Sequence, residues 1–314
     1  REAIAEKVAA LYGLTYDVEQ EITVTAGATQ AIFTAVAALV RPGDEVIVFE
    51  PVYDSYVPAI ETVGGTAVYA QLTFPDYVPD WDQVARLITP KTRMIIVNSP
   101  HNPTGSLFST VDREKLAKLI SGTNIVVLSD EVYEHILFDG EQHASLCAHP
   151  ELAARSIVVS SFGKTYHITG WKIGYVVGPA ALMAEFRKVH QFNVFTVHTP
   201  SQLALAEYMQ DAERHLRLAA FYEEKRDFFR QLLAATPFEL LPCRGTYFQL
   251  ARYDRISDLP DRAFAEWMTR DVGVAVIPVS VFYANGRDDR VVRFCFAKQE
   301  STLRAAAERL CKAL

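Results

Sequence analysis

From residue 22 to about residue 180, short β-branched runs that are apolar throughout alternate with stretches of helical period. The runs are Val46 to Phe49, Ala67 to Tyr69, Met94 to Val97, Ile125 to Leu128, Ile157 to Ser160 and Ile173 to Val177. A strand with one wet face shows apolar and polar residues in alternation. These runs do not, so both faces of their sheet must be covered. Thr29 to Val40, Asp54 to Thr62, Asp82 to Leu87 and Ser109 to Ile120 supply helices or partial helices to cover it. The pattern predicts an α/β domain with a mostly parallel sheet between helical layers, and ligand-binding loops at the strand ends.

After Pro200 the texture changes. A charge-rich helical stretch runs to about Ala234, followed by short strands around Tyr247 to Ala251 and Val291 to Phe296, a helix over Asp261 to Arg270 and a last helix from Ser301 to Leu314. This predicts a large domain over residues 1–215 and a smaller α+β domain over 216–314, with no internal repeat or low-complexity segment. Arg1 to Leu11 already carries helical periodicity, with Gly13 placed to stop the helix, so the expectation is a sequence that starts inside a domain.

A formal net charge of −7 argues against a nucleic-acid or anionic-membrane partner. Cys147, Cys243, Cys295 and Cys311 are widely spaced and form no C-x-x-C pair, so neither a metal site nor a disulfide framework is expected. No apolar stretch approaches the ~20 residues needed to span a bilayer. The expectation is a soluble, cytoplasmic protein with reduced, mostly buried thiols.

The chemistry concentrates in Ser161-Phe162-Gly163-Lys164-Thr165, followed by Lys172. An amine attacks an aldehyde only when neutral, a state that partial burial and a nearby cation favour. A lysine after a β run, with a hydroxyl before it and a second cation beyond, suits a Schiff base with pyridoxal 5′-phosphate. Alone, such a lysine is more often a surface residue.

Asp130, after the run Ile125 to Leu128, can pair with a protonated ring nitrogen, or simply cap a helix. Tyr133 can donate to the cofactor's phenolate oxygen from the same side. Asn102 lies in Asn98-Ser99-Pro100-His101-Asn102-Pro103-Thr104-Gly105, whose prolines and glycine fix the backbone, and is a second candidate donor. Thr25-Ala26-Gly27-Ala28-Thr29-Gln30 leads from a strand into a helix, whose free N–H groups suit a phosphate. Tyr53, after another strand end, is a stacking ring or a core aromatic. Arg293, amid apolar neighbours in Val291 to Phe296, needs a partner: a substrate carboxylate or a structural ion pair.

Taken in order, Asn102-Pro103-Thr104-Gly105, Ser129-Asp130-Glu131-Val132-Tyr133, Ser161-Phe162-Gly163-Lys164 and Arg293 resemble the class I aminotransferases of fold type I, and the likeness runs along the whole chain. His101 to Gly105, Lys164 to Lys172 and Arg293 to Lys298 look like the kynurenine/glutamine transaminase branch, within which the chain is similar to bacterial methionine aminotransferases. The resemblance implies Lys164 as Schiff-base lysine, Asp130 as pyridinium partner, and Asn102 and Tyr133 as donors to the phenolate oxygen. It implies Tyr53 as stacking ring, Ala28, Thr29, Ser161 and Lys172 as phosphate ligands, and Arg293 as carboxylate clamp. Lys172 departs from the arginine of aspartate aminotransferases. Family members also carry an N-terminal segment without counterpart ahead of Arg1, which supplies a substrate-contacting glycine and a tyrosine for the partner subunit's phosphate.

The function implied by this resemblance is a ping-pong transamination between an amino acid, methionine or aromatic, and a 2-oxo acid, in a homodimer with shared active sites. A carbon–sulfur β-lyase would need the same lysine and electron sink. A non-catalytic cofactor-binding domain would keep the fold alone.

Overall fold

The computed structural model describes residues 1–314. Eight strands form the larger sheet: β1 (Ile22–Thr25), β2 (Glu45–Glu50), β3 (Thr66–Thr73), β4 (Val78–Pro79), β5 (Thr92–Asn98), β6 (Val126–Asp130), β7 (Ser156–Ser161) and β8 (Gly174–Val177). Their order is β1-β8-β7-β6-β5-β2-β3-β4. The stretch β7-β6-β5-β2-β3 is parallel throughout, and β8 runs antiparallel to both β7 and β1.

Alternation along each strand divides the core into two layers. Ile47, Ile95, Val127 and Val158 point into one, with Ile4 and Val8 of the helix Glu2–Tyr12 and Leu116 and Ile120 of the helix Thr110–Ile120. Val46, Val48, Met94, Ile96, Leu128 and Val159 point into the other, with Ala31, Ile32, Ala35 and Val36 of the helix Gly27–Leu39. A sheet apolar on both faces therefore has helices on both, as the sequence pattern required.

The parallel strands end along one edge: Glu50, Asn98, Asp130 and Ser161 close β2, β5, β6 and β7. Thr25 and Ser161 both pair with Gly174, which brings the turn after β1 to the same edge. Gly174 is required there, because a Cβ on it would lie 2.6 Å from the Ser160 carbonyl oxygen.

A second, antiparallel sheet takes the order β11-β12-β10-β9, from β9 (Glu239–Leu240), β10 (Phe248–Arg252), β11 (Ile277–Pro278) and β12 (Val291–Cys295). Leu218, Tyr222, Phe229 and Leu233 of the helix Leu218–Leu233 pack into its core.

Four local expectations change. The single long helix after Pro200 is three helices, Thr199–Tyr208, Glu213–Leu216 and Leu218–Leu233. Asp211 makes the first break by accepting the Glu213 N–H at 3.1 Å, a side-chain bond that competes with the helical ladder. The helix expected over Asp261 to Arg270 is α-helical only to Trp267 and widens into a π turn over Met268–Val272. The helix Ala180–Asn193 went unread in the sequence. Of the four thiols, Cys147 and Cys243 are buried, Cys295 is partly exposed and Cys311 is exposed. No helix is long and apolar enough to cross a membrane.

Candidate active site

At the end of β5 the Asn98 side chain ties two segments together. Its amide donates to the Asp130 carbonyl at 2.9 Å, and its oxygen accepts the Asn102 N–H at 2.8 Å. Inside the loop His101 Nδ1 pairs with Thr104 Oγ1 at 2.7 Å, and Thr104 pairs with Ser106 at 2.8 Å. Burial pushes the His101 imidazole down to about 3, so it stays neutral inside this relay. The Asn102 backbone is thereby fixed and its amide is presented to the site.

Asp130 is buried and makes no ion pair. Tyr56 donates to Oδ2 at 2.6 Å and the Val132 N–H to Oδ1 at 3.3 Å, with no helix following that the carboxylate could cap. Burial raises its pKa to about 6, against the pull of those two donors. The site thus holds a carboxylate that would gain from a cationic partner.

Lys164 lies just beyond β7, in the single helical turn Phe162–Thr165. Its Nζ donates to the Tyr247 hydroxyl at 2.9 Å and stands 5.8 Å from the centroid of the Tyr133 ring. Burial, with Tyr247 alongside, raises the Tyr133 phenol far above its ordinary value, so it remains a donor. Tyr53 meets Tyr56 edge to face at 5.4 Å, and its phenol is raised chiefly by burial, then by Asp54 and Asp130.

Gly27, Ala28 and Thr29 open the helix Gly27–Leu39, where backbone N–H groups lack intrahelical acceptors and the helix dipole is positive. Lys172 Nζ comes within 3.5 Å of the position a Cβ on Gly27 would take. Both residues adopt left-handed backbone, Gly27 at φ 80° and Lys172 at φ 55°. Glycine accepts this freely, whereas lysine does so at a strain on the order of 1 kcal/mol.

Ala28, Thr29, Tyr53, Asn102, Asp130, Tyr133, Ser161, Lys164 and Lys172 all line one cavity of about 310 Å³. Arg293, from β12, joins it through Asn102, its Nη1 donating to Oδ1 at 2.6 Å. The guanidinium lies 4.1 Å from the Phe248 ring centroid and 5.2 Å from that of Phe282, and makes no ion pair within the chain. Burial lowers its pKa, though a guanidinium remains charged at any working pH. Sequence reasoning missed Tyr56 and Tyr247, which contact the carboxylate and the amine, and Asn98, which ties the Asp130 backbone to the loop. Asn98 had a signal, since it opens the Asn-Ser-Pro-His-Asn-Pro loop; the tyrosines had none.

The family model for aminotransferase class I and II matches residues 1–310. The chain is 51% identical over 311 residues to the methionine aminotransferase of Escherichia coli, covering 99% of this chain and 81% of that protein. It is 35% identical over 336 residues to kynurenine–oxoglutarate transaminase 1 of Rattus norvegicus, covering 96% and 79%. The crystal structure of YbdL from Escherichia coli, described as having a methionine aminotransferase function, superposes with a TM-score of 0.97 over 99% of this chain and 82% of that one. On the strength of a family match along nearly the whole chain, and of relatives this similar in sequence and fold, the chain belongs to the aminotransferase class I and II family and is an amino acid aminotransferase.

Proposed function

We propose that this chain binds pyridoxal 5′-phosphate in the cavity between Asp130, Lys164 and the first turn of the helix Gly27–Leu39, and moves the α-amino group of methionine or an aromatic amino acid to a 2-oxo acid. The observation that carries the reading is the convergence on one cavity of a lysine amine, a buried carboxylate with no ion-pair partner, and an anion cradle. The donor set fits the cofactor. Lys172, Ser161 and the N–H groups of Ala28 and Thr29 suit its phosphate, Asp130 its ring nitrogen, Asn102 and Tyr133 its ring oxygen, and Tyr53 its ring face. When bound, the cofactor supplies an aldehyde for the amine and a protonated ring that takes up electrons when the Cα–H bond breaks.

The protein's own groups do the rest. Lys164 is the base for the Cα proton; its amine, held by Tyr247 beside the Tyr133 ring, is fixed in place before substrate arrives. Asp130, once opposite a positive ring nitrogen, stays ionised and keeps that nitrogen protonated. Arg293 takes the substrate carboxylate; Asn102 holds only one of its guanidinium nitrogens. Holding the carboxylate anchors the substrate in the cavity beside Lys164 equally before and during proton transfer, so the contact contributes to binding. Likeness to the Escherichia coli methionine aminotransferase and to the rat kynurenine enzyme supports a methionine or aromatic donor. By the same likeness we propose two copies that share their active sites, in the cytoplasm.

The test is a half-reaction. Cofactor-loaded protein mixed with L-methionine and no oxo acid should release one equivalent of 2-oxo acid per site and no ammonia. Ammonia released together with oxo acid, continuing past one equivalent, would mean elimination, and no reaction with methionine, phenylalanine or tyrosine would overturn the donor assignment.

A further inference from the structure

One turn, with the residues just after it, is tied both to the small-sheet half and to the end of β2. Val279–Phe282 is a turn of 3-10 helix that follows β11. On the small-sheet side Ser280 donates to buried Asp261 twice, through its N–H at 2.7 Å and its hydroxyl at 2.6 Å. On the large-sheet side the Val52 N–H donates to the Phe282 carbonyl at 2.7 Å, and the Ala284 N–H donates to Glu50 Oε1 at 2.6 Å. Glu50 ends β2 and is 2% exposed, with Gln71 donating to its second oxygen at 3.2 Å. Val52 is the residue before Tyr53, so the clip is continuous with the cavity wall.

The side chain this turn delivers is Phe282, whose buried ring lies 5.2 Å from the Arg293 guanidinium carbon, while Phe248 lies 4.1 Å from it. Two aromatic rings and the Asn102 oxygen are thus the groups that restrain the guanidinium. A planar guanidinium captures a carboxylate through two parallel bonds only when its plane is set beforehand.

We propose that Phe282 is a positioning residue for Arg293 and that Glu50 is its tether: the clip sets the plane of the guanidinium relative to the large-sheet wall, and so tunes binding of the α-carboxylate shared by every amino and oxo acid substrate. This role rests on Arg293 as carboxylate clamp, and it falls to two residues that touch neither the reacting atoms nor the cofactor cradle. Because the carboxylate is bound alike before and during proton transfer, loss of the clip should appear in binding and KM, with kcat little changed.

The experiment compares Phe282→Leu, Glu50→Ala, Glu50→Gln and Arg293→Lys in cofactor-loaded protein. Calorimetry gives the Kd of 4-(methylthio)butanoate, which is methionine without its amine and cannot react; steady-state kinetics gives KM and kcat for L-methionine. Phe282→Leu and Glu50→Ala should each raise Kd and KM about tenfold with kcat within about twofold. Glu50→Gln, which keeps an oxygen for the Ala284 N–H, should lie closer to the parent. If Arg293→Lys weakens binding while Phe282→Leu does not, or if Phe282→Leu lowers kcat at unchanged Kd, the positioning role is overturned and the clamp stands. If Arg293→Lys leaves Kd unchanged, the clamp itself falls and the positioning role with it.

Discussion

Asp130, Asn102 and Lys164 stand at or just beyond strand ends of the large sheet, and bonds to their own segments help hold the first two, as the Val132 N–H holds Asp130 and Asn98 holds the Asn102 backbone. Arg293, Tyr247 and Phe282 arrive from the small-sheet half. Arg293 meets Asn102 across 191 positions of sequence and Tyr247 meets Lys164 across 83. Strand ends place the first group, and packing between layers brings in the second, including the Tyr247 hydroxyl on Lys164. Large-sheet residues should therefore govern the chemical step, with Tyr247 holding their base, and Arg293 and Phe282 should govern substrate binding.

Lys164→Ala gives the largest expected effect and would sharpen this division. Without a base for the Cα proton, kcat should fall about 10⁴-fold or more, measured in single turnover with L-methionine. A fall confined to KM would break the comparison at its strongest point.

Asp130→Asn separates function from stability. Burial holds the carboxyl near 6 rather than 3.8, so the folded state binds its proton more tightly than the unfolded chain does. Below about pH 4 both states are protonated and nothing is lost. As pH rises through 6 the folded protein comes to carry a buried charge, at a cost of about 3 kcal/mol. Cofactor-free Asp130→Asn should thus unfold at a higher temperature than the parent at pH 8, the gap closing toward pH 4, while the loaded variant loses most of its turnover. A destabilised variant at pH 8 would contradict the carboxylate's strained state.

Arg293→Lys tests the small-sheet side. Replacing a planar fork with a point charge should raise KM for every substrate about 30-fold, roughly 2 kcal/mol, at nearly constant kcat. The smallest expected effect is that of Tyr56→Phe. Removing one donor to Asp130 should raise the pH at which the cofactor-free carboxyl ionises and cost the ionised protein about 1–2 kcal/mol, read from the thermal midpoint at pH 8.

The same division explains what could be read beforehand. Apolar runs ending in Asn98, Asp130 and Ser161 exposed the sheet, its two helical layers and the edge that carries the chemistry, because burial on both faces leaves a continuous signal in the sequence. The cavity gathers all nine residues expected around the cofactor. Tyr56 and Tyr247 escaped notice because a tyrosine in a helix or ahead of a strand looks the same whether it packs in a core or contacts a carboxylate 74 positions away. The break near Asp211 was hidden for a related reason: helical periodicity continues through it, and only a side-chain oxygen on a backbone N–H marks the stop.

Everything proposed for the site turns on Lys164, rather than the neighbouring Lys172, carrying the amine chemistry. Borohydride reduction of cofactor-loaded protein, followed by peptide mass spectrometry, tests it most directly, since the reduction makes a lysine–aldehyde linkage permanent. The expected result is one phosphopyridoxyl group per chain, on Lys164, and its loss in Lys164→Ala. Modification of Lys172 alone, or none on a protein that holds the cofactor, would contradict the assignment.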